Sequence, residues 1–242
     1  MEARQCLKEW LTESKKAVFF GGAGVSTESG IPDFRSENGI YRARNQYGAD
    51  PEEILSHHFF LERPEVFYAY YRENLIYPEA QPNPAHRALA EWERRGNLAA
   101  VITQNIDGLH QKAESRTVYE LHGSVLRNTC MRCGKKYDVS IITETTGVPR
   151  CPVCGGQIKP DVVLYEEGLD SELLTQSVEA IRAADLMIVG GTSLNVYPAA
   201  GLLTYFQGKH LVLVNRDRTP WDQEADLVLH ENIGDVFQEI TF

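Results

Sequence analysis

The sequence lacks any long hydrophobic run. Its longest apolar stretches, residues 17–20 and 211–214, are far shorter than the roughly 20 residues that a membrane-spanning helix needs. No apolar segment follows the N-terminal Met-Glu-Ala-Arg-Gln-Cys, so we expect no secretory signal peptide. These absences predict a cytoplasmic protein without a membrane partner.

Basic residues are too few for a protein that binds nucleic acid. The 242 residues include 24 Lys and Arg against 34 Asp and Glu, which gives a net charge of −10. Affinity for a phosphate backbone is supplied by Lys and Arg, so we expect no direct nucleic-acid partner. An acidic surface suits a basic partner such as a lysine-bearing protein tail, although the solubility of an ordinary cytosolic protein explains the charge more simply.

The remaining composition is that of a globular chain. With 43% hydrophobic and 24% charged residues, the sequence is not disordered, collagen-like or a coiled coil. We find no internal repeat. The length allows one large domain, or a large domain with a small satellite.

Cysteine is scarce, but four of the five cysteines form a pattern. Cys130 and Cys133 make one C-x-x-C pair, and Cys151 and Cys154 make a second. Four thiolates at this spacing are typical of tetrahedral Zn²⁺, and a site filled by four protein ligands is structural rather than catalytic. Two disulfides or redox dithiols are the alternatives. Cys6 lies on a predicted helix, where we interpret it as a packing or surface residue.

Strand patterns alternate with helical patterns along most of the chain. This order predicts an α/β protein with a doubly wound, parallel, Rossmann-like sheet. Residues 36–82 differ, because they contain no clear strand and carry aromatic residues at helical spacing. The predicted strands are residues 17–20, 98–103, 118–121, 162–165, 186–189, 211–214 and 226–230, and the predicted helices are residues 3–14, 84–95, 171–184 and 198–207.

These patterns divide the chain into three parts. We predict a Rossmann-like domain, a helical insert and a smaller zinc-ribbon module. The Rossmann-like domain comprises residues 1–35, 83–128 and 159–242, the insert residues 36–82, and the zinc ribbon residues 129–158.

Five polar clusters directly follow predicted strands. The carboxyl ends of parallel strands share one edge of a sheet, and ligands bind at that edge. We therefore expect the clusters to meet in one site. They are Gly22-Ala23-Gly24, Gln104-Asn105-Ile106-Asp107, His122-Gly123, Gly191-Thr192-Ser193 and Asn215.

The first cluster is a glycine-rich turn that suits a phosphate group. Its glycines would let backbone N–H groups approach a pyrophosphate, but the third glycine of G-x-G-x-x-G is replaced by Thr27. A dehydrogenase should also carry an acidic residue at the end of a second strand about 20 residues later, and no strand is predicted there. A dinucleotide is thus expected, but not in the manner of a hydride-transfer enzyme.

Six motifs in order resemble the sirtuins, the NAD-dependent protein deacylases. The resemblance covers the chain from about residue 3 to its end and implies a minimal, bacterial-type form that uses NAD as a co-substrate and one structural Zn²⁺. The motifs are Gly22-Ala23-Gly24-Val25-Ser26, Ser29-Gly30-Ile31-Pro32-Asp33-Phe34-Arg35, Thr103-Gln104-Asn105-Ile106-Asp107, His122-Gly123, the two cysteine pairs, and Gly191-Thr192-Ser193-Leu194.

The resemblance implies an extended NAD site. Phe34 and Arg35 would lie on a loop that closes over NAD, with Phe34 shielding the reactive ribose. The run from Gln104 to Asp107 would hold nicotinamide, and the polar residues after the later strands would hold the phosphate and adenosine end. The implied contacts are Gly22, Ala23, Gly24, Thr27, Phe34, Arg35, Gln104, Asn105, Ile106, Asp107, His122, Gly191, Thr192, Ser193, Asn215 and Ile233.

His122 is the predicted catalytic base. Among the seven histidines, it alone stands at a strand exit followed by glycine, and an imidazole titrates near neutral pH. In the mechanism implied by the resemblance, the acetyl oxygen of a substrate lysine displaces nicotinamide from the ribose. His122 then activates a ribose hydroxyl, so that free lysine and O-acetyl-ADP-ribose form. Asn105 would position a water or a ribose hydroxyl.

The resemblance also implies a tunnel for the acyl-lysine. Val163 and Tyr165 would line it, and the substrate peptide would add as a strand between this segment and Asn195-Val196. The sirtuin pattern V-V-x-F-G-E is altered here, since Tyr165 replaces Phe and Glu166 replaces Gly.

The acyl preference is predicted from one offset. Sirtuins that prefer succinyl-lysine carry Tyr-x-x-Arg, whereas Arg72 here stands one residue late relative to Tyr68. One residue turns a helix by about 100°. We therefore expect a neutral acyl group such as acetyl and acetyl-lysine-bearing proteins as partners.

Other functions remain open at this point. A deacylase for other acyl groups and an NAD-dependent protein mono-ADP-ribosyltransferase would use the same NAD pocket. A non-enzymatic zinc-ribbon interaction module would leave the clusters after the strands unexplained.

Overall fold

The computed structural model describes residues 2–32 and 37–241. Its strands are β1 (Ala17–Gly21), β2 (Leu98–Thr103), β3 (Val118–Glu120), β4 (Gly123–Cys130), β5 (Lys136–Asp138), β6 (Ile158–Val162), β7 (Leu186–Gly190), β8 (His210–Val214) and β9 (Leu227–Leu229). Its α-helices are α1 (Glu2–Glu13), α2 (Glu37–Tyr47), α3 (Pro51–Ile54), α4 (His57–Glu62), α5 (Pro64–Asn74), α6 (Pro84–Arg95), α7 (Leu109–Lys112), α8 (Ser140–Thr143), α9 (Ser171–Ala183) and α10 (Ile233–Ile240). Short 3₁₀ helices cover Ala23–Val25, Thr27–Ser29 and Ala199–Tyr205.

The larger sheet confirms the predicted α/β architecture. Within the described residues its strand order is β3-β2-β1-β7-β8-β9, and neighbouring strands pair in parallel. Every residue of β1 and β7 is buried, as expected for central strands covered by helices on both faces. The chain moves from β1 to β2 on one side and to β7 on the other, so the switch point lies between β1 and β7, where doubly wound sheets bind ligands.

The predicted strand at residues 162–165 is wrong. The strand there is β6, which ends at Val162 and pairs antiparallel with β4 in a separate sheet of order β5-β4-β6. Its burial alternates, with Ile158 and Pro160 buried and Lys159 partly exposed, as in a strand with one face on a core. The segment predicted as a helix at residues 198–207 is a 3₁₀ helix.

The helical insert shares a hydrophobic core with the cysteine module. Residues 36–82 form helices in their described part, as predicted, and their aromatic side chains are buried. Phe60, Phe67 and Tyr68 belong to the same buried cluster as Cys151 and Ile158. The predicted domain boundaries at 128/129 and 158/159 fall inside β4 and β6, and the division into domains stays a prediction.

Helix α6 begins and ends as the sequence predicts. Asn83 caps its N-terminus, because the side-chain oxygen accepts a hydrogen bond from Ala85 N–H at 2.9 Å. Pro84 occupies the first turn, and Gly96 ends the helix in the left-handed conformation with φ +86°. No helix in residues 2–32 and 37–241 is both long and apolar enough to cross a bilayer.

Candidate active site

The glycine-rich turn packs directly against the loop that follows β7. Gly24 N–H donates to the carbonyl of Gly191 at 2.8 Å, and Gly22 N–H donates to that of Gly190 at 3.3 Å. A Cβ atom on Gly24 would lie 2.7 Å from Gly191 Cα, so a side chain does not fit there. Gly191 itself has φ +60°, a conformation that favours glycine. The turn after β1 therefore packs directly on the loop after β7, at the switch point of the sheet.

A substitution at Gly24 tests whether the close contact between the two loops leaves room for a side chain. We expect Gly24→Ala to lower the free energy of unfolding by about 1–3 kcal/mol, because the added methyl group meets backbone rather than a movable side chain. Gly168→Ala is the matched control, since no atom lies within 4 Å of the added Cβ. Urea denaturation of both variants measures the effect, and equal stabilities would contradict the predicted clash.

Three polar side chains meet beneath the end of β2. Ser26 O–H donates to Asp107 Oδ2 at 2.6 Å, and Asn105 Nδ2 donates to Ser26 Oγ at 3.0 Å. The other carboxylate oxygen of Asp107 accepts the N–H of Leu109 at 2.8 Å. Burial raises the pKa of Asp107 above its usual value. These hydrogen bonds fix the positions of the Asn105 amide and the Asp107 carboxylate.

His122 lies between the two sheets. Its Nδ1 is 2.9 Å from the carbonyl oxygen of Gln104, and only a protonated nitrogen can donate to that oxygen. This assigns the proton of the neutral ring to Nδ1 and leaves Nε2 as the basic nitrogen. Gly123 follows with φ +78°, and a Cβ there would lie 2.0 Å from the Asp161 carbonyl oxygen. Glycine thus lets the chain pass β6 directly after the histidine.

One cavity of about 260 Å³ joins these groups to the segment after β6. Ser26, Asn74 and Leu75 also line it but were missed by the sequence prediction. Ser26 stands within the glycine-rich motif and could have been found there, whereas nothing in the helical pattern of α5 marks Asn74. The predicted site residues that line the cavity are Ala23, Gln104, Asn105, Ile106, Asp107, His122, Val163, Tyr165 and Val196.

Other predicted residues lie outside this cavity. Thr192 follows β7 and accepts a hydrogen bond from Gln104 Nε2 at 3.1 Å, while Asn215 follows β8 and donates to the Asp217 carbonyl at 2.7 Å. The Ile233 side chain is buried in the main core, so only its backbone could face a ligand. The residues outside the cavity are Gly22, Gly24, Thr27, Gly191, Thr192, Ser193, Asn195, Asn215 and Ile233, whereas Phe34 and Arg35 lie outside the described residues.

The four predicted metal ligands form one compact cluster. All four sulfur atoms lie within 4.8 Å of one another, with Cys130 to Cys154 at 3.4 Å and Cys133 to Cys151 at 3.7 Å. Disulfide sulfurs would be about 2.05 Å apart, so these cysteines are free thiols. A tetrahedral zinc with Zn–S bonds of about 2.3 Å needs sulfur separations of about 3.8 Å. The cluster is compatible with one structural Zn²⁺, as predicted.

Comparisons with known proteins agree with this geometry. The Sir2 family model matches residues 22–198. The chain belongs to the Sir2 family. The NAD-dependent protein deacetylase of Clostridium acetobutylicum is 56% identical over 235 residues, which cover 97% of this chain and 96% of that protein.

Solved Sir2 enzymes share the fold over almost the whole chain. A Sir2 complex with a p53 peptide and NAD⁺ is 40% identical, with a TM-score of 0.87 and coverage of 99% of this chain and 97% of that one. A second complex holds an inhibitor, 2′-O-acetyl-ADP-ribose and a deacetylated p53 peptide; it is 39% identical, with a TM-score of 0.85 and coverage of 98% and 96%.

The segment after β6 departs from the sirtuin pattern at two positions. Glu166 stands where the pattern has glycine and adopts φ +76°, the conformation that favours glycine. Its carboxylate compensates for this, because it accepts the N–H of His58 at 3.1 Å and lies 2.7 Å from His58 Nδ1. Tyr165, at the Phe position, accepts His57 N–H at its carbonyl and donates its own N–H to Leu55, both at 3.0 Å. In this Sir2 chain, hydrogen bonds from residues 165 and 166 thus connect the segment after β6 to the helical insert.

Proposed function

We propose that this chain is an NAD-dependent protein-lysine deacetylase that converts acetyl-lysine and NAD into free lysine, nicotinamide and O-acetyl-ADP-ribose. One observation carries the proposal: His122 lines the same cavity as Asn105, Asp107, Val163 and Tyr165. A base, an amide-binding group and an apolar wall are thereby within one small space. The 56% identical relative carries the same activity in its name.

His122 is proposed to remove a proton from a ribose hydroxyl. The hydrogen bond from Nδ1 to the Gln104 carbonyl fixes the ring and stabilises the imidazolium that forms when Nε2 accepts the proton. Asn105 is proposed to orient the water or hydroxyl group beside it. Asp107, which Ser26 holds in place, is proposed to bind the carboxamide of nicotinamide, the group that leaves.

The rest of the NAD molecule is proposed to follow the sheet edge. The turn from Gly22 to Thr27 would receive the pyrophosphate, and Thr192 with Asn215 would receive the adenosine end. Phe34 and Arg35, outside the described residues, are proposed to close over the nicotinamide end. An aromatic cover there would keep water from the reactive ribose.

The substrate is proposed to be an acetylated protein segment that adds as a strand. Val163, Tyr165 and Val196 line the cavity, as do Glu166 and Glu167. The net charge of −10 favours lysine-rich segments over nucleic acid, which we propose is not bound directly. We place the reaction in the cytoplasm.

We expect acetyl-lysine to be preferred over succinyl-lysine by about tenfold or more in kcat/KM. Arg72 donates to the carbonyls of Ile142 at 2.7 Å and Gly147 at 2.5 Å, so its guanidinium is held away from the cavity. Among the described residues that line the cavity, none is Lys or Arg, so a succinyl carboxylate would be buried there without a lysine or arginine to pair with. Peptides that differ only in the acyl group measure this preference; equal or faster succinyl turnover would contradict it.

The products distinguish deacetylation from the alternative, mono-ADP-ribosyl transfer. The purified chain is incubated with NAD and an acetyl-lysine peptide, and the mixture is analysed by mass spectrometry. Deacetylation yields O-acetyl-ADP-ribose together with a peptide lighter by one acetyl group. A peptide or protein that instead gains ADP-ribose, with no O-acetyl-ADP-ribose, would overturn the proposal in favour of transfer.

A further inference from the structure

Two buried histidines beside the site take no part in the proposed reaction. His86 and His110 are almost fully buried, and their ring centroids are 4.7 Å apart. His86 belongs to α6, which the sequence predicts only as a capped helix. The hydrogen bonds around His86 connect that helix to the nicotinamide end of the cavity.

The N-terminus of α6 fixes the proton on the His86 ring. Asn83 N–H donates to His86 Nδ1 at 3.3 Å, and this is one half of a capping box whose other half is Asn83 Oδ1 accepting His86 N–H. Because Nδ1 accepts a hydrogen bond, the proton of the neutral ring is on Nε2. Burial, with Arg87 nearby, lowers the pKa of His86 to about 4, so the ring is neutral at physiological pH.

Both residues then contact the glycine-rich turn. Asn83 Nδ2 donates to the Val25 carbonyl at 2.7 Å. His86 Nε2 lies 3.5 Å from Ser26 Oγ, and with the proton on Nε2 it is the donor of this long hydrogen bond. The Ser26 hydroxyl group receives Asn105 Nδ2 on its other lone pair and gives its own proton to Asp107. Hydrogen bonds therefore run in one direction, from Asn83 through His86 and Ser26 to Asp107.

We propose that His86 and Asn83 are positioning residues for nicotinamide recognition, which act through Ser26 on Asp107. The proposal rests on the proposed function, since it takes Asp107 as the group that meets the carboxamide. His86 directs the Ser26 lone pairs so that the Ser26 proton points at Asp107 Oδ2. Without that donor, the Ser26 hydroxyl can rotate, and the Asp107 carboxylate loses its fixed orientation.

His110 offers a matched control. It is a histidine of the same core, in ring contact with His86, yet neither of its ring nitrogens has a hydrogen-bond partner among the described residues. Burial holds its pKa well below the usual value, so it is a neutral packing group. Replacing it changes core packing near His86 without breaking the hydrogen bonds to Ser26.

The test compares His86→Leu, His86→Gln and His110→Leu. Leucine removes the donor to Ser26, whereas the glutamine amide can both accept Asn83 N–H, as capping-box glutamine does, and donate to Ser26. We expect His86→Leu to raise the NAD dissociation constant and the nicotinamide inhibition constant about five- to tenfold, the effect of one lost hydrogen bond. His86→Gln should restore both to within about twofold of wild type. His110→Leu should leave both constants unchanged. The KM for acetyl peptide should be unchanged in all three variants.

Calorimetry with NAD alone measures the first constant without turnover. A wild-type chain that binds NAD but deacetylates nothing would overturn the proposed function alone. Unchanged NAD and nicotinamide constants in His86→Leu, or an equal rise in His110→Leu, would overturn the positioning role. If His86→Leu does not fold, His86→Phe replaces it, because phenylalanine retains a planar ring in the core but cannot donate to Ser26. The same rise in both constants is then expected, and its absence would overturn the proposal.

Discussion

Replacing His122 by alanine is expected to lower the rate of NAD-dependent deacetylation by about a hundred- to ten-thousandfold, the usual contribution of a positioned general base. The His122 imidazole is the proposed base, and the methyl group of alanine cannot accept a proton. NAD and peptide contact other residues as well, so their affinities should change far less than kcat. Rapid-quench or steady-state assays with an acetyl peptide measure the rate.

The control for this variant is a histidine at the opposite end of the sheet. His210 begins β8, and its ring stacks on Trp10 at 3.7 Å between centroids. His210→Ala should leave kcat within about twofold of wild type even if it lowers the melting temperature, because it lies at the amino end of the strand rather than at the ligand-binding edge. A wild-type kcat in the His122→Ala enzyme would contradict the proposed role of His122 as the base.

Loss of the metal should have the second large effect. We expect Cys151→Ser to abolish zinc binding and to unfold the cysteine module together with the helical insert, because Cys151 lies in the hydrophobic cluster that both share. In small zinc-binding peptides the free energy of zinc binding is about 10–16 kcal/mol and stabilises the folded state. This is comparable to the whole free energy of unfolding of a typical domain, about 5–15 kcal/mol. Activity should fall to background, since the insert supplies Leu55, Asn74 and Leu75 to the cavity.

Metal analysis and circular dichroism measure this outcome. Wild-type protein should contain one zinc ion per chain, and Cys151→Ser should contain almost none and lose helical signal. Cys6→Ser is the matched control, since Cys6 lies on α1, away from the metal cluster. A Cys151→Ser protein with wild-type melting temperature and activity would contradict a structural role for the metal.

The central sheet could be predicted from the sequence because its strands are short, continuous apolar runs. Strands such as β1 and β7 are buried on both faces, and that pattern is unlike the surrounding helices. The same reasoning predicted part of the site: of the five polar clusters after strands, three line one cavity, whereas those at Thr192 and Asn215 lie outside it. Asn105, Asp107 and His122 do meet in one cavity.

Other features depend on long-range packing and could not be predicted. The sequence around Val162 reads as a parallel strand, but pairing with β4 ends it there and leaves Val163 to donate its N–H to the His122 carbonyl. The common core of the insert and the cysteine module brings together residues far apart in sequence. Likewise, Ser26 and His86 are 60 positions apart in the sequence, and only the folded chain brings them into contact.

Nicotinamide release provides the most direct test of the central claim that one cavity couples cleavage of NAD to removal of an acyl group. The purified chain is incubated with NAD and either an acetyl-lysine peptide or the same peptide unmodified, and nicotinamide and deacetylated peptide are quantified together. The account predicts equimolar nicotinamide and deacetylated peptide with the acetylated peptide, and almost no nicotinamide with the unmodified one. Deacetylation without NAD, or nicotinamide release that does not depend on the acetyl group, would contradict it.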